Sequence, residues 1–206
     1  MLRLVEHPLV HDCLAELRDS RTAPERFRFL ANRVSVLLGA EALRDLPTET
    51  GVVETPLGPS PCRRIAVDVV LAPVLRAGLG MLPGMLELVP NARVGHLGLQ
   101  RDEHTAVASQ YYAKLPPDIG ASHVVLIDPM LATGGSAVAA LEVLTKAGAR
   151  HLRLICIVAA PEGIQAVERA FPDVPVFTPV VDRELNAHKF IVPGLGDFGD
   201  RLYGTV

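Results

Sequence analysis

The chain has 206 residues, 49% of them hydrophobic, and a formal net charge of −3 at pH 7. That length suits one α/β domain with appendages and a sizeable core. Pro, Gly or charged residues break every apolar run well before the roughly 18 residues a membrane span needs, and the slight acidity gives no global pull toward nucleic acid or an anionic membrane, so the expected partner is a small molecule.

The N-terminal "MLRLVEHPLVHDCLAEL" carries Glu6, His7 and Asp12 where a secretory signal needs an unbroken apolar core, so cytoplasmic residence is expected. His7 and His11 stand at i,i+4, a spacing that can hold a metal, but no third ligand follows and His7 precedes a proline. A solvated helix start is the expectation. Cys13, Cys62 and Cys156 are odd in number and have no paired spacing, which argues against a disulfide framework and a zinc site. In "PERFRFLANRVSVLLGAEAL", Phe27, Leu30, Val34, Leu37 and Leu38 recur at helical spacing behind Pro24, predicting an amphipathic helix. The following "TETGVVETPLGPSPCRRI", rich in Thr, Gly and Pro, predicts a hairpin or arm suited to an oligomer contact.

From Ile65 the pattern changes to short aliphatic runs, "IAVDVVLAP", "ARVGHLGL", "HVVLIDP", "LRLICIVAAP" and "VPVFTPVVD", the later ones separated by helical stretches at Ala137 to Ala147 and Glu162 to Ala170. Continuous apolar strands alternating with helices predict a mostly parallel sheet flanked by helices, and such sheets bind ligands beyond the carboxyl ends of their strands.

One junction carries the chemistry. In "LIDPMLATGGSA", a strand over Val124 to Ile127 delivers Asp128 to its carboxyl end, and Ser136 opens a helix. Between them Gly134 and Gly135 let backbone amides turn inward to meet the helix N-terminus, an anion cradle suited to a phosphate monoester, with Thr133 and Ser136 adding hydroxyls. At this junction a Walker A loop would need Lys-Ser or Lys-Thr after the last glycine, and a dinucleotide fingerprint three spaced glycines; the junction has neither. A purely structural strand-to-helix turn stays open.

These residues, with "HPLV", "LRAGLGM" (Leu75 to Met81), "DPMLATGGS" (Asp128 to Ser136), "VAAPEGI" (Val158 to Ile164) and "IVPGLGDFGDRLYGT" (Ile191 to Thr205), resemble the phosphoribosyltransferases of the type I fold, and among them the uracil-using family, over nearly the whole chain. The resemblance implies transfer of the phosphoribosyl group of 5-phosphoribosyl 1-pyrophosphate to uracil, giving UMP and pyrophosphate. It implies that Asp128 holds the ribose hydroxyls and that Pro129, Met130, Leu131, Ala132, Thr133, Gly134, Gly135 and Ser136 wrap the 5′-phosphate. Arg76 would reach the pyrophosphate, in a turn where the family can have a non-proline cis peptide. Arg101, at the head of "LQRDEHTAVASQYYAKLP", would close over the pyrophosphate as part of a flap running to Lys114. Ile191, Gly196, Asp197 and Phe198 would contact uracil, mainly through main-chain groups, with Asp197 also near the ribose.

The catalytic set so implied is Arg101, Asp128 and Asp197. The implied cofactor is Mg²⁺, held mainly by substrate oxygens and water, with no dedicated protein metal site. A homodimer or larger homo-oligomer and regulation by GTP are also implied. On this reading residues 1–206 form one domain: a helical segment and arm to about 64, a core to about 182, and a base-binding segment from about 183. The sequence departs from the family with Gln100 before the flap arginine and Ser109 or Gln110 before the Tyr pair, and with Phe190 and Phe198 where tyrosine and alanine are usual. Side-chain packing on the base is expected to change with residue 198. Two alternatives remain: transfer to a different base, and a non-catalytic sensor of phosphoribosyl pyrophosphate or nucleotides.

Overall fold

The computed structural model describes residues 1–101 and 108–205, and at 100, 101 and 108–110 it describes the backbone alone. The chain opens with strand β1 (Leu2–Leu4) and helices α1 (Pro8–Arg18) and α2 (Pro24–Ala42). Both helices start at a proline, whose fixed φ suits the first turn and whose missing N–H is an orphan there anyway. His7 caps α1, its Nδ1 accepting the Leu9 N–H at 3.1 Å, so this histidine opens a helix. Strands β2 (Thr48–Thr55) and β3 (Gly58–Ile65) pair from Thr48 opposite Ile65 to Thr55 opposite Gly58, forming the expected arm with Val52, Leu57 and Ile65 exposed.

After β4 (Val69–Leu75) come α3 (Leu82–Leu88), β5 (Arg93–Val94), β6 (His96–Arg101) and β7 (Ala108–Lys114). Next are β8 (His123–Ile127), β9 (Met130–Leu131), α4 (Gly135–Lys146), β10 (His151–Ile155), β11 (Val158–Ala159) and α5 (Pro161–Ala170). Then follow β12 (Val176–Thr178), β13 (Glu184–Leu185), β14 (Ile191–Val192) and α6 (Phe198–Tyr203). The main sheet runs β1-β12-β10-β8-β4-β6-β7 and is parallel except for β7, which returns antiparallel to β6; β5 pairs with β4.

The aliphatic runs are apolar throughout because both faces of these strands are covered. In β4, Val69 and Leu71 enter one apolar layer with residues of α1, α2 and α3, while Val70, Ala72 and Val74 enter a second with residues of α4 and α5. The next strand repeats the alternation, Val125 and Ile127 on one side, Val124 and Leu126 on the other. A slip of one residue would exchange the two sets, and with about 1.5–3 kcal/mol gained per fully buried aliphatic side chain the register is strongly fixed.

The chain winds outward from the middle of this sheet in two directions. From β4 it proceeds to β6 on one side; from β8 it proceeds to β10 and β12 on the other. The sheet therefore has its switch point between β4 and β8, and the crevice beyond their carboxyl ends is where this architecture binds ligands.

Three features differ from the sequence-based expectation. The run from Leu152 to Pro161 is two strands: β10 ends at Ile155, and β11 pairs with β9 as a separate parallel pair above the main sheet. The N-terminus contributes β1, which extends the sheet beside β12 and is too short to register as a strand by periodicity. The stretch after Asp182 forms an antiparallel β13–β14 pair within what the sequence reads as a base-binding segment, with no strand predicted there.

Candidate functional site

A cavity of about 510 Å³ lies at the switch point, with walls from the end of β4, the β8–α4 junction and the C-terminal segment. At the β4 end, the peptide bond from Leu75 to Arg76 is cis, the geometry that the resemblance raised for this turn. Arg76 is exposed on the cavity and the Tyr203 hydroxyl donates to its carbonyl at 3.3 Å.

At the β8 end, Asp128 is only 9% exposed and lines the same cavity, its N–H donating to the Ile155 carbonyl at 3.2 Å. The backbone that follows is tied to its neighbour. The Pro129 carbonyl accepts from Ile157 and Val158 N–H at 2.9 and 3.1 Å, and that of Leu131 from Ala160 N–H at 2.8 Å. Gly134 caps α4 with φ +82°, a left-handed conformation, and a Cβ built there would sit 2.7 Å from Ala166 Cβ and 2.9 Å from the Gly163 carbonyl oxygen. Only glycine fits both the turn and the approach of α5. The first amides of α4 thus open beside Asp128, where the helix dipole favours an anion.

The opposite wall is the C-terminal segment. Asn186 holds a tight turn between β13 and β14, its Oδ1 accepting from His188 and Phe190 N–H at 2.9 and 3.0 Å, with Lys189 at φ +65°. His188, Lys189 and Phe190 line the cavity from this turn, and Ile191, Gly196, Asp197, Phe198 and Gly199 complete the wall. Asp197 also caps α6, its Oδ1 accepting the Asp200 N–H at 2.9 Å. The Phe198 side chain is 1% exposed and meets the Phe27 ring edge-on at 5.0 Å between centroids. It supports the wall from the core, which revises the expectation that residue 198 packs on a bound ring.

Of the residues singled out in the sequence, Arg76, Asp128, Met130, Ala132, Ser136, Ile191, Gly196, Asp197 and Phe198 meet on one cavity. Pro129, Leu131, Thr133, Gly134 and Gly135 belong to the loop that shapes it but do not line it. Arg101 ends β6; its side chain, and flap residues 102–107, lie outside the described residues. Sequence reasoning missed Val74, Leu99, His188 and Lys189 on the lining. The signal for the 186–190 turn was Asn186, whose side chain mimics a backbone turn two residues on. Cys156, fully buried below the strand tips, has its thiol pushed up to about 12 by burial, with the Asp128 charge adding to the shift, so it is no nucleophile here.

An exposed guanidinium, a buried carboxylate, a helix N-terminus and a wall of main-chain polar groups around one cavity can hold a phosphorylated sugar against a planar ring. A family model for uracil phosphoribosyltransferase matches residues 4–205. A uracil phosphoribosyltransferase from Symbiobacterium thermophilum is 50% identical over 203 residues, 98% of this chain and 97% of that protein. Among solved structures, the AQ2163 protein from Aquifex aeolicus superposes with a TM-score of 0.94 at 39% identity over 98% of both chains. A purine phosphoribosyltransferase from Pyrococcus horikoshii, with a TM-score of 0.50 at 17% identity over 73% of this chain and 83% of that one, shares the fold.

Proposed function

The chain belongs to the uracil phosphoribosyltransferase family, and from that premise we propose that it transfers the phosphoribosyl group of 5-phosphoribosyl 1-pyrophosphate to N1 of uracil, giving UMP and pyrophosphate. The observation that carries the reading is the meeting of Arg76 and Asp128 with the main-chain wall Gly196 to Gly199 on one cavity at the switch point.

The bond from ribose C1 to the pyrophosphate oxygen breaks as N1 of uracil bonds to C1, and the proton lost from N1 passes to the departing pyrophosphate; positive charge develops on the sugar and negative charge on the leaving group. Catalysis then depends on positioning and charge stabilisation, with no covalent nucleophile. Asp128 accepts hydrogen bonds from the ribose hydroxyls and stabilises the sugar's developing charge. The loop from Pro129 to Ser136, with the N-terminus of α4, holds the 5′-phosphate. Arg76 binds pyrophosphate oxygens with a planar fork, and Arg101 closes over the same group. Main-chain groups of Ile191, Gly196, Asp197 and Phe198 read the uracil edge, and Asp197 lies beside the ribose.

Asp128 and Asp197, the two carboxylates on the cavity among the described residues, are the hard oxygen donors Mg²⁺ takes, and two of them leave most of its sphere to substrate oxygens and water. When bound, the ion would neutralise charge on pyrophosphate. The whole chain is read as one phosphoribosyltransferase domain. The exposed apolar residues of the β2–β3 arm support a homo-oligomer. No helix among the described residues is long and apolar enough to cross a membrane; cytoplasmic residence, with small molecules as partners, is the reading adopted. Regulation by GTP rests on the family resemblance alone.

Incubation with donor, Mg²⁺ and uracil should yield UMP and pyrophosphate in equal amounts by chromatography. Donor consumption with no UMP would overturn the reading.

A further inference from the structure

The C-terminal wall is held from below by a buried ion pair that no step of the proposed chemistry uses. Arg18, at the end of α1, reaches Asp182 with both terminal nitrogens, Nη2 to Oδ1 at 2.7 Å and Nη1 to Oδ2 at 2.9 Å, and Nη1 also donates to the Gly194 carbonyl at 2.7 Å. Asp182 Oδ2 accepts the Gly194 N–H at 2.8 Å. Both backbone groups of Gly194 are thus fixed, at a residue in the left-handed region with φ +59°. The Asp182 side chain is 4% exposed and that of Arg18 23%.

The same frame continues to the phosphate loop. Asp182 N–H donates to the Ala159 carbonyl at 2.8 Å, Ala159 on β11 pairs with Leu131 on β9, and Leu131 belongs to the 129–136 loop. On the other flank Arg201 donates to the Leu195 carbonyl at 2.8 Å and to the Asp19 carbonyl at 2.5 Å. Next to Gly194 and Leu195, held in this way, Gly196 to Gly199 line the cavity.

We infer that Arg18 and Asp182 are positioning residues that set the base-reading backbone in register with the phosphate loop, and so govern uracil affinity and base selectivity without touching substrate. The inference rests on the reading above that main-chain groups of 191–198 recognise the base. The physical ground is that a buried bidentate pair has one geometry, and a reacting ring displaced by about 1 Å can lose about 10²-fold in rate.

The test uses Arg18→Lys and the double variant Arg18→Met with Asp182→Leu. An apolar replacement of a buried pair can leave stability intact, whereas removing one partner strands a charge. KM for uracil, KM for the donor, the uracil-to-cytosine ratio of kcat/KM, and Tm are measured for each. The double variant, which leaves the Gly194 N–H and carbonyl without these partners, is expected to fold with a lowered Tm, to raise KM for uracil about tenfold or more with donor KM unchanged, and to lower the base ratio. Arg18→Lys, which keeps the charge but cannot serve Asp182 and Gly194 as a fork, is expected to fall between it and the wild type. A folded double variant with wild-type uracil KM and base ratio would overturn the inference, as would a parallel rise in both KM values. If the double variant does not fold, wild-type values for both in Arg18→Lys overturn it. If the wild type prefers another base, the functional reading fails, and the positioning role is judged by the same criteria with that base.

Discussion

Asp128 is the residue on which the proposed chemistry turns, and it is only 9% exposed. It stands at the strand tip beside the first turn of α4, in a crevice where a developing positive charge would be stabilised at short range. Asp128→Asn keeps the shape and removes the charge. Turnover should fall by roughly a hundredfold or more, equivalent to about 3 kcal/mol in the transition state, with a Tm close to that of the wild type. Wild-type turnover in this variant would remove Asp128 from the mechanism. Gly134 makes a different demand, for backbone and not charge. At φ +82°, with Ala166 Cβ 2.7 Å from where a Cβ would stand, Gly134→Ala must shift α5 or distort the turn. The expected outcome is a loss of about 1–3 kcal/mol in stability and weaker donor binding by calorimetry. An unperturbed donor affinity would show that the loop does not hold the phosphate. The placement of both was legible in the sequence, because an aliphatic run ending in an acid and followed by paired glycines marks a strand tip turning into a helix. The local signs of Arg18 and Asp182 were absent, since their partnership spans 164 residues.

At the scale of elements, α6 closes the cavity by standing on α2. Phe198 enters the core against Phe27, and Arg201 lies over the other side of that contact, its guanidinium 4.6 Å from the Phe27 ring. Phe198→Ala is therefore a core truncation, expected to cost about 3–5 kcal/mol in denaturant unfolding while leaving the preference for uracil over cytosine in place. A reversed preference would mean that the ring, and not the backbone, reads the base. The opposite end of the sheet carries a stacked histidine pair. His123 and His151, adjacent in the β8–β10 register, stack at 4.7 Å and 7°, and Arg153 Nη2 is 3.4 Å from His123 Nδ1. Burial, followed by the charges of His151 and Arg153, lowers the His123 pKa below 6.5. The unfolded chain then takes up this proton first as pH falls, so His123 contributes full stability above about 6.5 and progressively less below it. Denaturant midpoints should drop between about pH 7.5 and about pH 5.5, and His123→Asn should flatten that slope. The Arg153 hydrogen bond lowers the Asp45 pKa below 3.8, so its contribution is lost only at stronger acidity, outside this window.

At the scale of the whole molecule, the two-way winding from β4 and β8 determines where a ligand can bind. This much was legible, because aliphatic runs separated by helical spacing specify a covered parallel sheet. The division of Leu152 to Pro161 into β10 and β11 was not legible, since an unbroken apolar run does not reveal that its second half leaves the sheet to pair with β9. Nor was the β13–β14 turn, whose two short strands carry too few residues to show a period. On the proposed function, base identity is read by backbone groups of the C-terminal segment and phosphoribosyl identity by the β8–α4 loop. The uracil 4-carbonyl would face a backbone donor, and cytosine would place an amino group against it. Such a buried polar mismatch can be worth about 10⁴, whereas an apolar pocket separates near-isosteres by only about 10². The direct test is kcat/KM for uracil and for cytosine with saturating donor and Mg²⁺, followed by pyrophosphate release. A ratio on the order of 10⁴ in favour of uracil is predicted; comparable use of the two bases would contradict the uracil assignment and leave phosphoribosyl transfer to be matched with another acceptor.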